Sequence, residues 1–237
     1  MPKSHGQPAS SAIDVPIRDA ACVLVVDASA PEPKLLMGRR RAEQVFLPNK
    51  WVFPGGRVED DDRSLADGFG DGFSPADLAS EIRPFALAAV RELFEETGLM
   101  VGRRGTLAGA VGPAWQAFAA SGCVPIPAHL YPLARAITPP GRVRRFDTWF
   151  FLTGSTAILT DSALPDGELL DLGWFTLPEA RNLDLPNITR LVLEDLAGLL
   201  TKARVSTDAS EPLPYYYSDG TAFRRDLISC KVAPPTP

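Results

Sequence analysis

The sequence has 237 residues, of which 45% are hydrophobic and 22% charged, and its formal net charge is -5 at pH 7. A chain of this length and hydrophobic content can bury one sizeable core. The acidic balance argues against a dedicated nucleic-acid coat or a membrane-surface protein, because both use a surplus of basic residues. We therefore expect neither a nucleic acid nor a membrane as partner.

The N-terminus and the cysteines bear on the compartment. Residues 1–17 are polar and lack the apolar stretch of a signal peptide, which predicts a disordered N-terminal segment. No apolar run approaches the roughly 20 residues that span a bilayer. Cys22, Cys123 and Cys230 are far apart and form no CxxC pair, a pattern that argues against a disulfide framework or a zinc site. These features predict a cytoplasmic protein.

The first elements in chain order are strands. Apolar runs at 20–27 and 34–38 predict two strands joined by a turn, and three consecutive arginines follow the second. The segment WVFPGGRVE then predicts a short apolar strand that ends in a glycine pair, Gly55 and Gly56. Such a pair permits a tight turn and a close approach of the backbone to a ligand.

The next segment predicts an insertion and two helices. Residues 60–74 are acidic and glycine-rich, which predicts an exposed insertion. Ser74 and the proline after it are a plausible helix start, with the helix running to about Arg83. Pro84 then opens a second helix, which Gly98 can terminate.

The second half of the chain is mostly strand-like. Strands are predicted at 130–137, 146–154 and 171–177, and helices around Trp115 and at 186–203. The tail predicts a hairpin around Asp219 and Gly220. Strands mixed with two or three helices, without an internal repeat, indicate a single α/β sandwich.

Three glutamates share one face of the helix that follows Pro84. Glu92, Glu95 and Glu96 are related by i, i+3 and i+4 spacing, which brings them together on an α-helix. Carboxylates crowded in this way repel one another. A hard divalent cation removes the repulsion, and oxygen-rich sites of this kind suit Mg²⁺ or Mn²⁺. The spacing therefore predicts a metal site on this helix.

Neighbouring residues can support that site. Arg91 lies one turn before Glu95 and can pair with a carboxylate to fix its orientation. The turn at Gly55 and Gly56 can bring backbone amides and a carbonyl to the same metal and to phosphates. A solvated helix face with i, i+4 ion pairs is the other interpretation of the helix motif alone. The FPGG turn upstream favours the metal site.

The two motifs together, WVFPGGRVE and RELFEETGL, resemble the Nudix box, G-x5-E-x7-R-E-U-x-E-E-x-G-U, in which U is a bulky aliphatic residue. The second half matches in full from Arg91 to Leu99, and the first half matches at Gly56. The resemblance implies an αβα Nudix sandwich with a mixed sheet over about 18–204, which leaves the predicted hairpin and tail at 205–237. It also implies metal ligation by Glu92, Glu95, Glu96 and the Gly56 carbonyl.

The spacing of the box departs from the family pattern. Arg91 follows Gly56 by 35 positions where the box has 14, so about 21 residues are inserted, which we assign to about 60–83. The position of the central glutamate then becomes ambiguous. Counting forward from Gly56 gives Asp62, whereas counting back from Arg91 gives Arg83.

An interrupted box, with RRFDTWFFL after a TPPG turn, is similar to a Nudix branch related to coenzyme A diphosphatases. That resemblance implies coenzyme A or a dinucleotide as substrate, and a homodimer by analogy. An arginine-and-glycine pattern that accompanies coenzyme A hydrolysis is poorly matched, because Gln44 and Val45 stand where its second arginine is expected.

Further polar residues are candidates for the site. Glu168 can supply another metal-binding carboxylate from a loop, or it is a solvated loop residue. Arg39, Arg40 and Arg41 can bind substrate phosphates and Gly55 can line the same site, although ion pairs at a sheet edge are the alternative for the arginines. Asp147, within a predicted strand, is either paired in the core or lines the site, and we favour the structural role.

These features predict metal-dependent hydrolysis of a diphosphate linkage in a nucleoside diphosphate-linked small molecule. Glu95 or Glu92 would be the base that activates water, with Arg91 as their partner. The alternative is a catalytically weak Nudix-fold module that binds or senses nucleotides, which the uncertain central glutamate motivates. A serine hydrolase has little support, because no G-x-S-x-G occurs.

Overall fold

A computed structural model describes the chain over 15–69, 79–110, 112–160, 169–201 and 211–229. Its strands are β1 (Ile17–Asp27), β2 (Lys34–Arg40), β3 (Trp51–Val52), β4 (Gly55–Arg57), β5 (Leu99–Arg104), β6 (Cys123–Pro125), β7 (Tyr131–Ile137), β8 (Arg145–Gly154), β9 (Ile158–Thr160), β10 (Leu169–Thr176), β11 (Leu213–Ser218) and β12 (Phe223–Ile228). Its helices are α1 (Asp60–Gly68), α2 (Arg83–Thr97), α3 (Gly112–Ala120), α4 (Leu177–Arg181) and α5 (Asn187–Thr201).

A nine-stranded mixed sheet forms the centre of the fold. Its order is β10-β2-β1-β8-β7-β11-β12, with β3 paired to β2 and β4 paired to β1. The β1–β8 and β7–β11 pairs are parallel, and the other pairs of this sheet are antiparallel. A smaller antiparallel sheet has the order β6-β5-β9. The predicted mixed α/β fold is confirmed.

Strand β1 shows how the sheet is buried on both faces. Side chains alternate across a strand, so neighbouring residues enter different cores. Ala21, Val23 and Val25 pack in the core that contains the apolar face of α2. Leu24 and Val26 pack in the core that contains the apolar face of α5. The alternation therefore places one helix on each side of the sheet, which gives the αβα layering.

Helix α2 begins and ends as its sequence predicts. Pro84 lies in its first turn, where the missing N–H costs no hydrogen bond. Gly98 caps its end with a left-handed φ of 71°, and its N–H donates to the Phe94 carbonyl at 2.8 Å. Leu87 and Val90 are fully buried on the core side. The glutamates lie on the other face of the helix, away from these core residues.

Residues 60–68, predicted as part of an exposed insertion, instead form helix α1. Leu65 and Ala66 are buried in the core shared with α2, and Asp62 is completely buried. The acidic, glycine-containing composition concealed the helix because it has only these two buried apolar residues. The Asp62 carboxylate also accepts the Glu59 backbone N–H at 2.9 Å, which closes the first turn.

The segment between α1 and α2 is described only in part. Ser74 and the proline after it, where a helix start was predicted, lie outside the described residues. Ser80–Ile82 form a 3₁₀ turn that leads directly into α2. The extent of the insertion, at about 60–83, stays a prediction.

The C-terminal hairpin extends the main sheet. Strand β11 pairs with β7 and with β12, and Tyr216 is buried, with its hydroxyl donating to Asp195 of α5 at 2.7 Å. The domain boundary predicted at 204 is not tested, and residues 202–210 lie outside the described part of the chain. Among the described helices, none has the length and apolar character needed to cross a membrane.

Candidate active site

Strand β4 and helix α2 bring the acidic residues together. The Gly55 N–H donates to the Glu96 carboxylate at 2.8 Å. The Gly56 backbone lies against Glu92, and a Cβ atom at position 56 would overlap the Glu92 carboxylate. Only glycine leaves the space that Glu92 occupies. The glycine turn and the glutamate face, predicted from separate motifs, therefore meet in one place.

A buried arginine connects two of the carboxylates. Arg91 is 3% exposed, and its Nη1 donates to Glu92 at 2.8 Å and to Glu95 at 2.7 Å. Its Nη2 donates to the Arg57 carbonyl at 2.7 Å, which ties α2 to β4. Arg91 therefore holds two carboxylates, whereas the sequence suggested a pairing with one.

Asp62 holds the other side of this arginine. Its carboxylate accepts from Arg91 Nε and Nη2, both at 2.9 Å. It also accepts the indole N–H of Trp115 at 2.9 Å. Of the two positions that sequence counting left open, Asp62 faces the box arginine, whereas Arg83 is the first residue of α2.

The acid cluster lies at a cleft of about 400 Å³. Its charged lining residues are Glu59, Glu92, Glu96, Arg40, Arg57 and Arg144. Phe46 and Phe146 add an aromatic wall, with ring centroids 5.2 Å apart in an edge-on arrangement. The cleft therefore combines carboxylates, guanidinium groups and aromatic surface.

Burial sets the protonation of the groups in the cleft. Desolvation raises the pKa of Glu92 from 4.5 to about 7, although Arg91 opposes the shift, and the charges of Glu95 and Asp62 add to it. Burial also raises the pKa of the Cys22 thiol to about 12, with a further contribution from the negative charge of Glu96. Both pKa shifts therefore arise mainly from burial, and the neighbouring carboxylates add to each.

Comparison with known proteins identifies this architecture. No family model matches the sequence. Nudix hydrolase 7 of Caenorhabditis elegans is 34% identical over 96 residues, which are 40% of this chain; the match spans about a quarter of that relative, 26% of its length. A crystal structure of a Nudix hydrolase from Alicyclobacillus acidocaldarius is 26% identical, with a TM-score of 0.66 over 82% of this chain and 99% of that one.

The chain has the Nudix hydrolase fold. The sequence relative and the Alicyclobacillus structure support its predicted membership of the Nudix superfamily, and both are Nudix hydrolases. A more distant structural match is the Nudix domain of Shewanella oneidensis NrtR in complex with ADP ribose. It is 12% identical, with a TM-score of 0.47 over 81% of this chain and 94% of that one.

The donor atoms of the Nudix site fit a hard divalent cation. Carboxylates and a backbone carbonyl are the oxygen ligands that Mg²⁺ and Mn²⁺ prefer. The raised pKa of Glu92 marks a buried carboxylate whose charge a cation would neutralise. Within the described ranges, however, no three Asp, Glu, His or Cys side chains form a ready ligand cluster. Glu95 pairs with Arg91 and its side chain is 42% exposed, so it would have to turn inward to join a metal.

The structure brings some of the predicted site residues together and not others. Those that line the cleft are Arg40, Gly55, Gly56, Glu92 and Glu96. Arg39 forms an ion pair with Asp171 instead, and Arg41 is exposed outside the cleft lining. Glu168, proposed as a further ligand, lies outside the described residues.

Several residues of the site were not found from the sequence. Glu59, Phe46, Phe146 and Arg144 line the cleft but belong to no spacing pattern. Phe146 and Arg144 fall within the RRFDTWFFL motif, which was the only signal for them. Trp115 gave no signal, because its partner Asp62 is 53 positions away in the chain.

Proposed function

We propose that this chain hydrolyses the diphosphate linkage of a nucleotide-like small molecule with the help of Mg²⁺ or Mn²⁺. The observation that carries the proposal is the meeting of Glu92 and Glu96 with the Gly55-Gly56 turn at the cleft. Hard oxygen donors and guanidinium groups around one cavity are suited to a metal and a diphosphate.

The metal would be held by the predicted ligands Glu92, Glu95, Glu96 and the Gly56 carbonyl. When bound, a divalent ion neutralises charge on the diphosphate oxygens and makes a bound water more acidic. Glu92 is the better placed base, because it lines the cleft, whereas Glu95 is 42% exposed beside Arg91. Arg91 keeps both carboxylates oriented through hydrogen bonds from one nitrogen.

The remainder of the cleft suits the nucleotide part of the substrate. Arg40 and Arg144 line the cleft, and each guanidinium can bind two phosphate oxygens at once. Phe46 and Phe146 offer an aromatic surface on which a base can stack. Coenzyme A and dinucleotides, which the branch resemblance implies, carry a purine nucleotide joined to a diphosphate.

The test is product analysis with a panel of coenzyme A, NADH, ADP-ribose and nucleoside triphosphates, each with Mg²⁺ or Mn²⁺ in ¹⁸O-labelled water. We expect two phosphate-bearing fragments from at least one compound, with the label in one of them. Absence of product from every compound would overturn the proposal. Binding without product formation would favour the nucleotide-sensing module.

Two further proposals concern the location and assembly of the protein. The two described cysteines, Cys22 and Cys123, are free thiols, which agrees with a reducing compartment, and we propose the cytoplasm. The homodimer stays a prediction, which sedimentation of the purified protein would check.

A further inference from the structure

The Asp62 carboxylate accepts four hydrogen bonds. The donors are the Glu59 backbone N–H, two guanidinium nitrogens of Arg91 and the indole Nε1 of Trp115, each at 2.9 Å. An ionised carboxylate offers about four lone-pair positions, so its capacity is filled. Asp62 and Trp115 are both completely buried, so water does not compete for these bonds.

Trp115 is held rigidly in this position by helix α3. Its ring packs edge-on against Phe118 at 5.4 Å, and Phe118 packs edge-on against Phe94 of α2 at 5.3 Å. The indole is therefore anchored to the helix that carries Arg91. Its buried N–H donates to Asp62, and fully satisfied buried networks of this kind rigidify the groups that form them.

An aspartate in this position is one methylene shorter than the glutamate of the Nudix box. The Trp115 indole lies directly against the Asp62 carboxylate, with its Nε1 2.9 Å from Oδ1. A glutamate at position 62 would have to enter the volume that the indole occupies. The two residues are therefore expected to depend on each other.

We propose that Trp115 is a positioning residue of the active site. Its N–H fixes the Asp62 carboxylate, Asp62 fixes the Arg91 guanidinium, and Arg91 orients the carboxylates of Glu92 and Glu95. Trp115 acts only through these groups and contacts no substrate. The effect on catalysis rests on the proposed function, but the hydrogen-bond relay does not.

The chain contains a matched control. Trp149 is as completely buried as Trp115, yet in the described part of the structure its Nε1 has no hydrogen-bond partner. Replacing either tryptophan by phenylalanine removes one indole N–H and some core volume. Only the change at Trp115 breaks a hydrogen bond of the relay.

The first test compares Trp115→Phe with Trp149→Phe in the full chain. Both variants should fold, as circular dichroism would show. For Trp115→Phe we expect Mn²⁺ affinity to fall about 10-fold, the scale typical of groups that orient metal ligands, and kcat/KM to fall through kcat. NMR should show faster solvent exchange of the Arg91 Nε–H in this variant and wild-type exchange in Trp149→Phe.

The second test measures the coupling between positions 62 and 115 in Mn²⁺ binding. Asp62→Glu alone should weaken Mn²⁺ binding, because its longer side chain meets the indole. The double variant Asp62→Glu/Trp115→Phe should regain most of the loss, since phenylalanine is smaller. The pairing is overturned if the double variant binds Mn²⁺ no more tightly than the sum of the two single losses predicts.

The two failures can be told apart. If the wild-type protein hydrolyses no compound of the panel, the proposed function fails, while Arg91 Nε–H exchange still reports on the relay. If Trp115→Phe matches Trp149→Phe in both Mn²⁺ affinity and Arg91 exchange, Trp115 has only a packing role and the inference fails.

Discussion

Two buried arginine–aspartate pairs in this molecule have similar local geometry. Arg91 contacts Asp62 through Nε and Nη2, both at 2.9 Å. Arg135 contacts Asp147 through the same two nitrogens, at 2.8 and 2.5 Å. All four side chains are at most 5% exposed. Each pair is bidentate, so the aspartate both orients the guanidinium and balances its charge.

The surroundings of the two pairs differ. Arg135 and Asp147 join neighbouring strands β7 and β8, and the guanidinium lies over the rings of Trp149 and Tyr215 at 5.7 and 5.1 Å. Arg91 instead donates from Nη1 to Glu92 and Glu95 at the proposed metal site. The same pairing therefore stabilises the sheet in one region and, in the other, organises the site. Asp147 has the structural role that its sequence predicted.

The largest expected difference between the two pairs is the effect of Asp147→Ala. It leaves the Arg135 charge buried without its partner, which costs about 3–5 kcal/mol of unfolding free energy. The kcat/KM of the folded fraction should stay close to wild type, because neither Arg135 nor Asp147 lines the cleft. Urea denaturation and assays below the transition would measure both. If this variant were as stable as the wild type, the Arg135–Asp147 pair would not stabilise the sheet.

On the Arg91 side, Glu96→Gln should spare the fold and remove activity. The glutamine oxygen can still accept the Gly55 N–H, so unfolding free energy should change little. Loss of the charge should lower kcat by about 10²–10³-fold, the scale for removing one group that stabilises the transition state. The exposed Glu43→Gln serves as control in the same metal-dependent assay. Equal turnover by the two variants would contradict the assignment of Glu96.

The two glycines of β4 sharpen the contrast between stability and site. A Cβ at Gly55 would meet the backbone of Ala21 and Cys22 in β1, which cannot move aside, so Gly55→Ala should lose about 1–3 kcal/mol of stability. A Cβ at Gly56 would meet only the carboxylate end of the Glu92 side chain, which can turn away, unlike backbone. Gly56→Ala should therefore keep its stability and lose about 10-fold in Mn²⁺ affinity. Thermal melts and Mn²⁺ titrations of both variants would check this, and the reverse pattern would refute it.

The smallest expected effect is a pH dependence from Glu92. Its folded pKa of about 7 exceeds the unfolded value of 4.5, so its protonated form stabilises the metal-free protein below about pH 4.5. This contribution is lost as the pH rises through about 7. In EDTA, the Tm of Glu92→Gln should fall less than that of the wild type as the pH rises from about 4.5 to 7. Identical Tm profiles for the two proteins would show that Glu92 titrates normally.

Much of the scaffold could be predicted because its elements have local signals. The helix α2 shows apolar spacing at Leu87 and Val90, with Pro84 and Gly98 at its ends, and the glutamate face follows from helical geometry. Helix α1 was missed because two apolar residues in an acidic run give no periodicity. Strand β5 was not distinguished within the strand-like region that follows Gly98.

The site was less predictable because its contacts are distant in sequence. Counting along an interrupted motif could not choose between Asp62 and Arg83, since the choice depends on where the insertion lies in space. Trp115 donates to Asp62 although α2 and β5 separate the two residues in the chain. Among three adjacent arginines, the strand geometry brings Arg40 to the cleft and gives Arg39 an ion pair with Asp171.

The most direct measurement is anomalous diffraction from a crystal of the protein soaked in Mn²⁺. We predict a manganese peak between the Gly56 carbonyl and the carboxylates of Glu92 and Glu96, with Glu95 turned away from Arg91. A crystal with no such peak, in which Glu92 and Glu95 both remain on Arg91, would contradict the proposed metal site.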